Sequence, residues 1–334
     1  MNKSQKTQQR VNRPNSPTVS LIIPVRNEAE NLKHVLPLVP SCVTELVIVD
    51  GKSTDDTIGV TQSFFPDAVV VHQTETNGKG AAMIEGAIAS SGDIIVYIDG
   101  DGSMDPGEIP AFVGTLQSGA DLAKGSRFAA GGYSHDITPI RRLGNWGLLS
   151  LAKILFRQKW TELNYGFFAL WSDMLPVLGL DSICPSSTES KKMPYGYGFE
   201  IETMTFTRAV RSGLRVAEVG SIEYERIYGE SSLMAIKDGF RILGALRRER
   251  RAPITKSLSG NPTLVGVERN NFISTNIGTD VIPNFINMSS LELEVATHSE
   301  PVTKFISNTE IMKSIRKMTE GSTKDSLANS TMEG

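Results

Sequence analysis

The run Ile94-Ile95-Val96-Tyr97-Ile98 leads directly into Asp99-Gly100-Asp101-Gly102. Such an unbroken apolar and aromatic run reads as a parallel strand buried on both faces. A strand of that kind requires covering layers, and in parallel sheets helices supply them. Two carboxylates one residue apart stand at its carboxyl end. Like charges in a low-dielectric setting are costly unless something positive joins them. A divalent cation holding a diphosphate meets that need. The segment therefore points to an enzyme that acts on a nucleotide-activated substrate.

The flanking sequence repeats the same plan. Strands are expected at Val19–Ile23, Glu45–Val49, Ala68–His72 and Ile94–Ile98, with helices between them. Asn27 precedes a helix running to about Leu38, with Glu30 placed as a capping-box acid. Asp55-Asp56 opens the next helix, where acids suit the positive N-terminus. Gly80–Ser90 is a small-residue helix. This alternation predicts an α/β fold with a mostly parallel sheet. Ligands in such sheets bind beyond the carboxyl ends of the strands. Arg26, Glu28, Asp50, Lys79, Asp99 and Asp101 lie at or near those ends and should converge on one cleft.

Later segments are more mixed. Pro106–Leu116 reads as a helix and Asp121–Arg127 as a strand entering a turn. A helix within Arg141–Phe156 spaces Trp146, Leu149, Ala152 and Phe156 along one side, a face read as core ahead of bilayer contact. Tyr195–Ser212 carries a helix and Arg215–Tyr224 a strand. Leu233–Arg250 is amphipathic, with Leu233, Ile236, Phe240, Leu243 and Leu246 on one face and a basic end at Arg247–Arg251. Residues 1–17 read as a disordered leader without an apolar signal core, and residues 253–334 as a low-order tail rich in Ser, Thr and Asn. The catalytic domain is expected over 18–252.

The bulk numbers exclude several classes. A net charge of −3 over 334 residues gives no general attraction for nucleic acid. The 2 cysteines, Cys42 and Cys184, do not form a disulfide framework, and the 4 histidines lack metal-ligand spacing. No apolar run approaches the ~18 residues of a membrane span. The expected location is cytoplasmic, with peripheral contact at the inner face of the membrane.

Several motifs then fall in a familiar order. Val25-Arg26-Asn27-Glu28, Asp50-Gly51-Lys52-Ser53-Thr54-Asp55-Asp56-Thr57, Asn77-Gly78-Lys79-Gly80 and Asp99-Gly100-Asp101 resemble family 2 glycosyltransferases of the GT-A fold, a Rossmann-like sheet flanked by helices. Gly125-Ser126-Arg127-Phe128, Leu163-Asn164-Tyr165-Gly166-Phe167, Gly198-Phe199-Glu200-Ile201-Glu202 and Arg226 before Gly229-Glu230-Ser231-Ser232 resemble the polyprenyl (dolichyl) phosphate mannosyltransferase branch. The chain differs from many relatives at Gly51, Ser103 and Tyr165, where a second acid, a Gln and a small residue are common.

The resemblance implies a set of roles. Pro24, Arg26, Glu28 and Asp50 would line the nucleoside pocket, with Lys79 and Gly100 close to the nucleotide. Asp99 and Asp101 would hold Mg²⁺ or Mn²⁺, which cancels charge on the departing nucleoside diphosphate. Arg226 would be a second phosphate clamp, since a guanidinium matches phosphate oxygens in pairs. Arg127, with Arg141 or Arg142, would position a lipid-phosphate acceptor, already ionised at neutral pH. A hydroxyl acceptor would instead need a base, and Glu200 or Glu202 is placed for it. The expected activity is inverting transfer of a hexose from a GDP- or UDP-sugar to a polyprenyl phosphate. The alternatives are transfer to a soluble hydroxyl and a non-catalytic nucleotide-sugar-binding module. A nucleotidyltransferase is a distant third, since no Gly-rich phosphate loop leads the chain.

Overall fold

The computed structural model describes residues 13–73, 78–180, 194–229, 235–252 and 272–273. Residues 1–12 of the expected leader lie outside that set. So do Asn77, Cys184, the 230–234 segment with Leu233, and the expected tail apart from 272–273.

The expected strands form. β1 (Val19–Val25), β2 (Glu45–Asp50), β3 (Val69–His72) and β4 (Ile94–Tyr97) are parallel, in the order β4-β1-β2-β3. Helices α1 (Ala29–Val35), α2 (Thr57–Phe64) and α3 (Lys79–Ala89) connect them. α4 (Ile109–Gln117) follows a short 3₁₀ turn and leads to β5 (Leu122–Ser126). The chain continues through β6 (Tyr133–Ser134) and α5 (Pro139–Phe156) into β7 (Phe168–Trp171), then α6 (Leu175–Leu178). The last elements are α7 (Glu200–Arg211), β8 (Val216–Gly220), β9 (Ile222–Glu223), α8 (Ala235–Arg251) and β10 (Phe272–Ile273).

The sheet order is β10-β8-β5-β7-β4-β1-β2-β3. β7 is antiparallel to both β4 and β5 and makes the sheet mixed. Its four residues are all buried, so alternation gave no sign of it. Their neighbours Gly166 and Phe167 read as a motif and not as the approach to a strand. The expected strand over Arg215–Tyr224 divides into β8 and β9, and β9 leaves the main sheet to pair with β6.

Both faces of the sheet are covered. Leu21, Ile23, Ile48, Val96 and Phe112 belong to one core, and Ile22, Val49, Met83, Phe168 and Phe206 to the other. Alternate residues of β1 thus enter opposite cores, as strand geometry requires. Outside the expected domain start, Arg13 pairs with Asp121 at 3.0 Å and lies over the Trp171 ring at 4.6 Å.

Two helix readings change in detail. α1 begins at Ala29 without a capping box. Asn27 sits in the left-handed region at φ 56°, and its side-chain oxygen accepts from Thr54 N–H at 2.7 Å. Glu30 instead pairs with Lys33. The outer helices also turn differently from their expected faces. Leu149 and Ala152 of α5 and Ile242 and Leu246 of α8 are buried, while Trp146 is 66% and Phe240 70% exposed. Among the described residues, no helix is long and apolar enough to cross a membrane.

A buried ion pair fixes the approach to β7. Lys124 of β5 is fully buried, with Nζ 3.0 Å from Glu218 Oε1 of β8 and donating to the Glu162 carbonyl at 2.6 Å. Glu218 also accepts the Thr161 N–H and hydroxyl, at 3.0 and 2.8 Å. Removing one partner of such a pair leaves the other charge buried alone. Lys124→Met should therefore lower unfolding free energy by about 3–5 kcal/mol in urea denaturation. Lys124→Met combined with Glu218→Gln should lose less than the single substitution.

Candidate active site

The carboxyl ends of β1, β2 and β4 meet along one edge of the sheet. The turns after β1 and β2 are tied together: Asn27 N–H donates to Ser53 Oγ at 2.9 Å, and Asp55 accepts the Ala29 N–H at 3.1 Å. Asp50 ends β2 with a buried side chain. One of its oxygens accepts the Ser53 N–H at 3.0 Å, and the other faces His72 Nδ1 at 3.4 Å. Arg26 is exposed at the end of β1, whereas Pro24 lies within that strand in register with Val49. Asp50 and Arg26 thus stand at neighbouring strand ends, as expected.

The two aspartates after β4 are each held by a cation. Asp101 Oδ2 lies 3.2 Å from Arg226 Nη1, and its Oδ1 accepts the Ser103 N–H and hydroxyl at 3.0 and 2.7 Å. Arg226 Nη2 also pairs with Glu28. The segment carrying Arg226 is fastened along its length. Tyr224 N–H donates to the Ser103 carbonyl at 2.8 Å, Ile227 N–H to the Asp101 carbonyl at 3.2 Å, and Tyr228 N–H to Asn31 Oδ1 at 2.8 Å. Burial raises the Glu28 carboxyl above its ordinary value, against the pull of Asn31 and Arg226.

Asp99 Oδ1 lies 2.6 Å from Lys79 Nζ, which is also 2.9 Å from Glu202 Oε1. Burial opposes the lysine charge, but the two carboxylates outweigh it and hold Lys79 above the ordinary lysine range. Lys79, expected to approach the nucleotide, has its ammonium engaged by two acids in this structure. The start of α3 is engaged as well. Gly80 and Ala81 N–H donate to the Tyr197 carbonyl at 2.8 and 3.3 Å. Only glycine fits at position 80, since a Cβ there would stand 2.1 Å from the Gly196 carbonyl oxygen.

Arg127 and Glu200 are likewise paired within the protein. Arg127 Nε donates to Glu162 Oε2 at 2.9 Å, Nη1 to Glu223 Oε1 at 2.8 Å, and Nη2 to Glu162 Oε1 at 2.7 Å and the Asn164 carbonyl at 3.3 Å. Every nitrogen of its guanidinium has a protein acceptor, so the group clamps protein segments together. Glu200 is buried, accepts the Gly196 N–H at 3.0 Å, and pairs with Arg241 at 3.1 Å. It anchors α8 to the turn before α7. Glu162, Glu223 and Arg241 had no place in the sequence reading. Glu162 stands four residues before Gly166 and Glu223 three before Arg226, and nothing in their spacing marks them.

The residues present fit a divalent cation. Carboxylate oxygens are the hard donors that Mg²⁺ and Mn²⁺ take. With all groups ionised, the four carboxylates Glu28, Asp99, Asp101 and Glu202 stand against the two cations Lys79 and Arg226, which leaves two negative charges. One divalent ion balances that sum. Among the described residues, no group of three or more His, Cys, Asp or Glu could hold a metal unaided. A diphosphate would supply the remaining oxygens.

The family model for glycosyl transferase family 2 matches residues 20–175. Undecaprenyl-phosphate mannosyltransferase of Micrococcus luteus is 33% identical over 223 residues, covering 64% of this chain and 87% of that protein. Polyprenol monophosphomannose synthase of Mycolicibacterium smegmatis is 32% identical, covering 66% of this chain and 82% of its own. Among solved structures, glucosyl-3-phosphoglycerate synthase from Mycobacterium tuberculosis, in complex with Mn²⁺, UDP-glucose and phosphoglyceric acid, superposes with a TM-score of 0.53 at 25% identity. That match covers 71% of this chain and 81% of the other. The mixed, mostly parallel sheet with helices on both faces is therefore the GT-A fold. The chain belongs to glycosyl transferase family 2, and within it resembles the polyprenyl-phosphate mannosyltransferases.

Proposed function

We propose that this glycosyltransferase moves a hexose, with inversion, from a GDP- or UDP-sugar to a polyprenyl phosphate. The observation that carries the choice of acceptor is the pairing of the acids around the site. Glu28 is held by Arg226, Glu202 by Lys79, Glu200 by Arg241, and Glu162 and Glu223 by Arg127. A hydroxyl acceptor needs a carboxylate to take its proton. A phosphate monoester is already an anionic nucleophile and needs only to be positioned. The relatives named for undecaprenyl-phosphate and polyprenol substrates support the same reading.

In this reading Asp50, with Arg26 at the neighbouring strand end, receives the nucleoside. Asp99 and Asp101 hold the divalent ion, which stabilises charge developing on the departing diphosphate. Arg226, whose guanidinium is paired with Asp101, Glu28 and the Tyr228 carbonyl here, would turn to the same phosphates once they bind. With Arg127 committed to Glu162 and Glu223, the cations left for the acceptor phosphate are Arg141 and Arg142 at the start of α5. Arg141 pairs with Asp136 at 2.8 Å, and Arg142 is exposed beside the Phe128 ring.

The outer surface suits a lipid substrate. Leu143, Trp146 and Ile154 of α5 and Phe240 and Leu243 of α8 are exposed, on two helices that pack together. Arg142, Lys153 and Arg247 are exposed on the same helices. Apolar side chains mixed with cations fit the surface of an anionic bilayer. The protein would then meet its acceptor at the inner face of the membrane.

Full-length protein, incubated with GDP- and UDP-sugars, Mg²⁺ or Mn²⁺ and a short polyprenyl phosphate, should release nucleoside diphosphate faster than without the lipid. Asp101→Ala should reduce that rate by at least about a hundredfold. Release indifferent to the lipid would assign a soluble acceptor instead. Binding of a donor with no turnover on any acceptor would leave a binding module. In flotation with phosphatidylglycerol vesicles, the wild type should float and the Trp146→Ser/Phe240→Ser variant should sediment. Wild-type protein that stays in the soluble fraction with every vesicle would remove the bilayer contact.

A further inference from the structure

Glu202 has no part in the reaction as read above, yet it lies within bonding distance of the site. It stands in the first turn of α7 with a side chain only 5% exposed. A helix N-terminus favours acids, but that preference does not require burial. What accompanies the burial is Lys79, whose ammonium bridges Glu202 and Asp99 at 2.9 and 2.6 Å. The start of α3, the end of β4 and the start of α7 are joined through this one cation.

The bridge is enclosed. Gly166, ahead of β7, lies against it: a Cβ at that position would stand 2.7 Å from Lys79 Nζ and 3.2 Å from Asp99 Oδ2. The Phe199 ring lies 5.7 Å from the ammonium. Lys79 therefore has little freedom to leave the two acids for a ligand. Its two partners also limit each other. Without Glu202, Lys79 would pair one-to-one with Asp99 and could follow either of its oxygens. With both present, the ammonium is held between the two acids and meets Asp99 at Oδ1.

We propose that Glu202 is a positioning residue for metal–diphosphate binding: by sharing Lys79 with Asp99 it fixes Asp99 Oδ1 and leaves Oδ2 for the ion. This rests on the metal-dependent donor site proposed above. Glu202 touches neither the donor nor the acceptor in this account and acts only through Lys79.

The test is calorimetric and needs no turnover. GDP and UDP are titrated into the full-length protein with and without Mn²⁺. The wild type should bind one of them more tightly with the metal. Glu202→Gln, which keeps the shape and removes the charge, should weaken the Mn²⁺-dependent component about tenfold and leave metal-free nucleotide binding unchanged. Lys79→Gln should weaken the same component, and adding Glu202→Gln to it should cost nothing more, because Glu202 acts only through Lys79. The Lys79→Gln variant also serves if Glu202→Gln does not fold, as judged by thermal melting. Variants that melt earlier but bind Mn²⁺ and nucleotide like the wild type would overturn the assignment and leave Glu202 a packing residue. A wild type whose nucleotide binding ignores Mn²⁺ would instead overturn the metal reading itself, and this inference with it.

Discussion

The site depends on cations shared between pairs of acids. Asp99 shares Lys79 with Glu202, and Asp101 shares Arg226 with Glu28. A strand buried on both faces can end in two aspartates only if their charge is answered nearby. One-to-one ion pairs would answer it fully and leave nothing to attract a divalent ion. Sharing each cation between two carboxylates leaves, when all groups are ionised, one negative charge on either side of Gly100. The arrangement tolerates the site without ligand chemistry and retains the charge that such chemistry uses.

The topology explains how distant segments reach those pairs. β1, β2 and β4 are neighbours in one parallel sheet, so their carboxyl ends open on the same edge. β7 enters the sheet antiparallel between β4 and β5, which lays Gly166 against the Lys79–Asp99 pair as the chain approaches the strand. The Lys124–Glu218 pair beneath β5 holds the Thr161–Glu162 backbone, and Glu162 in turn grips Arg127. Arg127 reaches across to Glu223, two residues ahead of Glu225 and three ahead of Arg226. The positions of Asp99 and Arg226 thus rest on a chain of polar contacts that runs through buried ion pairs.

The first half of this was legible from residue order. Strand and helix alternate at regular spacing there, and each strand ends in a polar residue that can belong only to the open edge. Asp50, Asp99 and Asp101 could be placed at that edge for that reason, whereas Arg226, beyond β9, was marked only by the resemblance of its motif. β7 was not, because Phe168–Trp171 is buried throughout and shows no alternation. The partner of each charged side chain was not legible either. Arg127 lies in a recognisable motif, but its acceptors Glu162 and Glu223 are 35 and 96 residues away. The pairing of Lys79 and Glu200 was hidden for the same reason: a sequence shows which groups are charged, whereas pairing depends on contacts between elements far apart in the chain.

α5 links the outer surface to these pairs. Asn145 and Trp146 are adjacent on it and point in different directions. Asn145 Nδ2 donates to Glu162 Oε1 at 3.3 Å, the oxygen that also receives Arg127, while Trp146 is 66% exposed beside Leu143. A helix turning about 100° per residue separates neighbouring side chains in this way without any break in its backbone. The face proposed for the bilayer and the clamp that orders the site are therefore two sides of one rigid element. Arg141 and Arg142 stand at its first turn, between the apolar side chains and Arg127. A lipid phosphate that reached those arginines would bring an oxygen already ionised for attack.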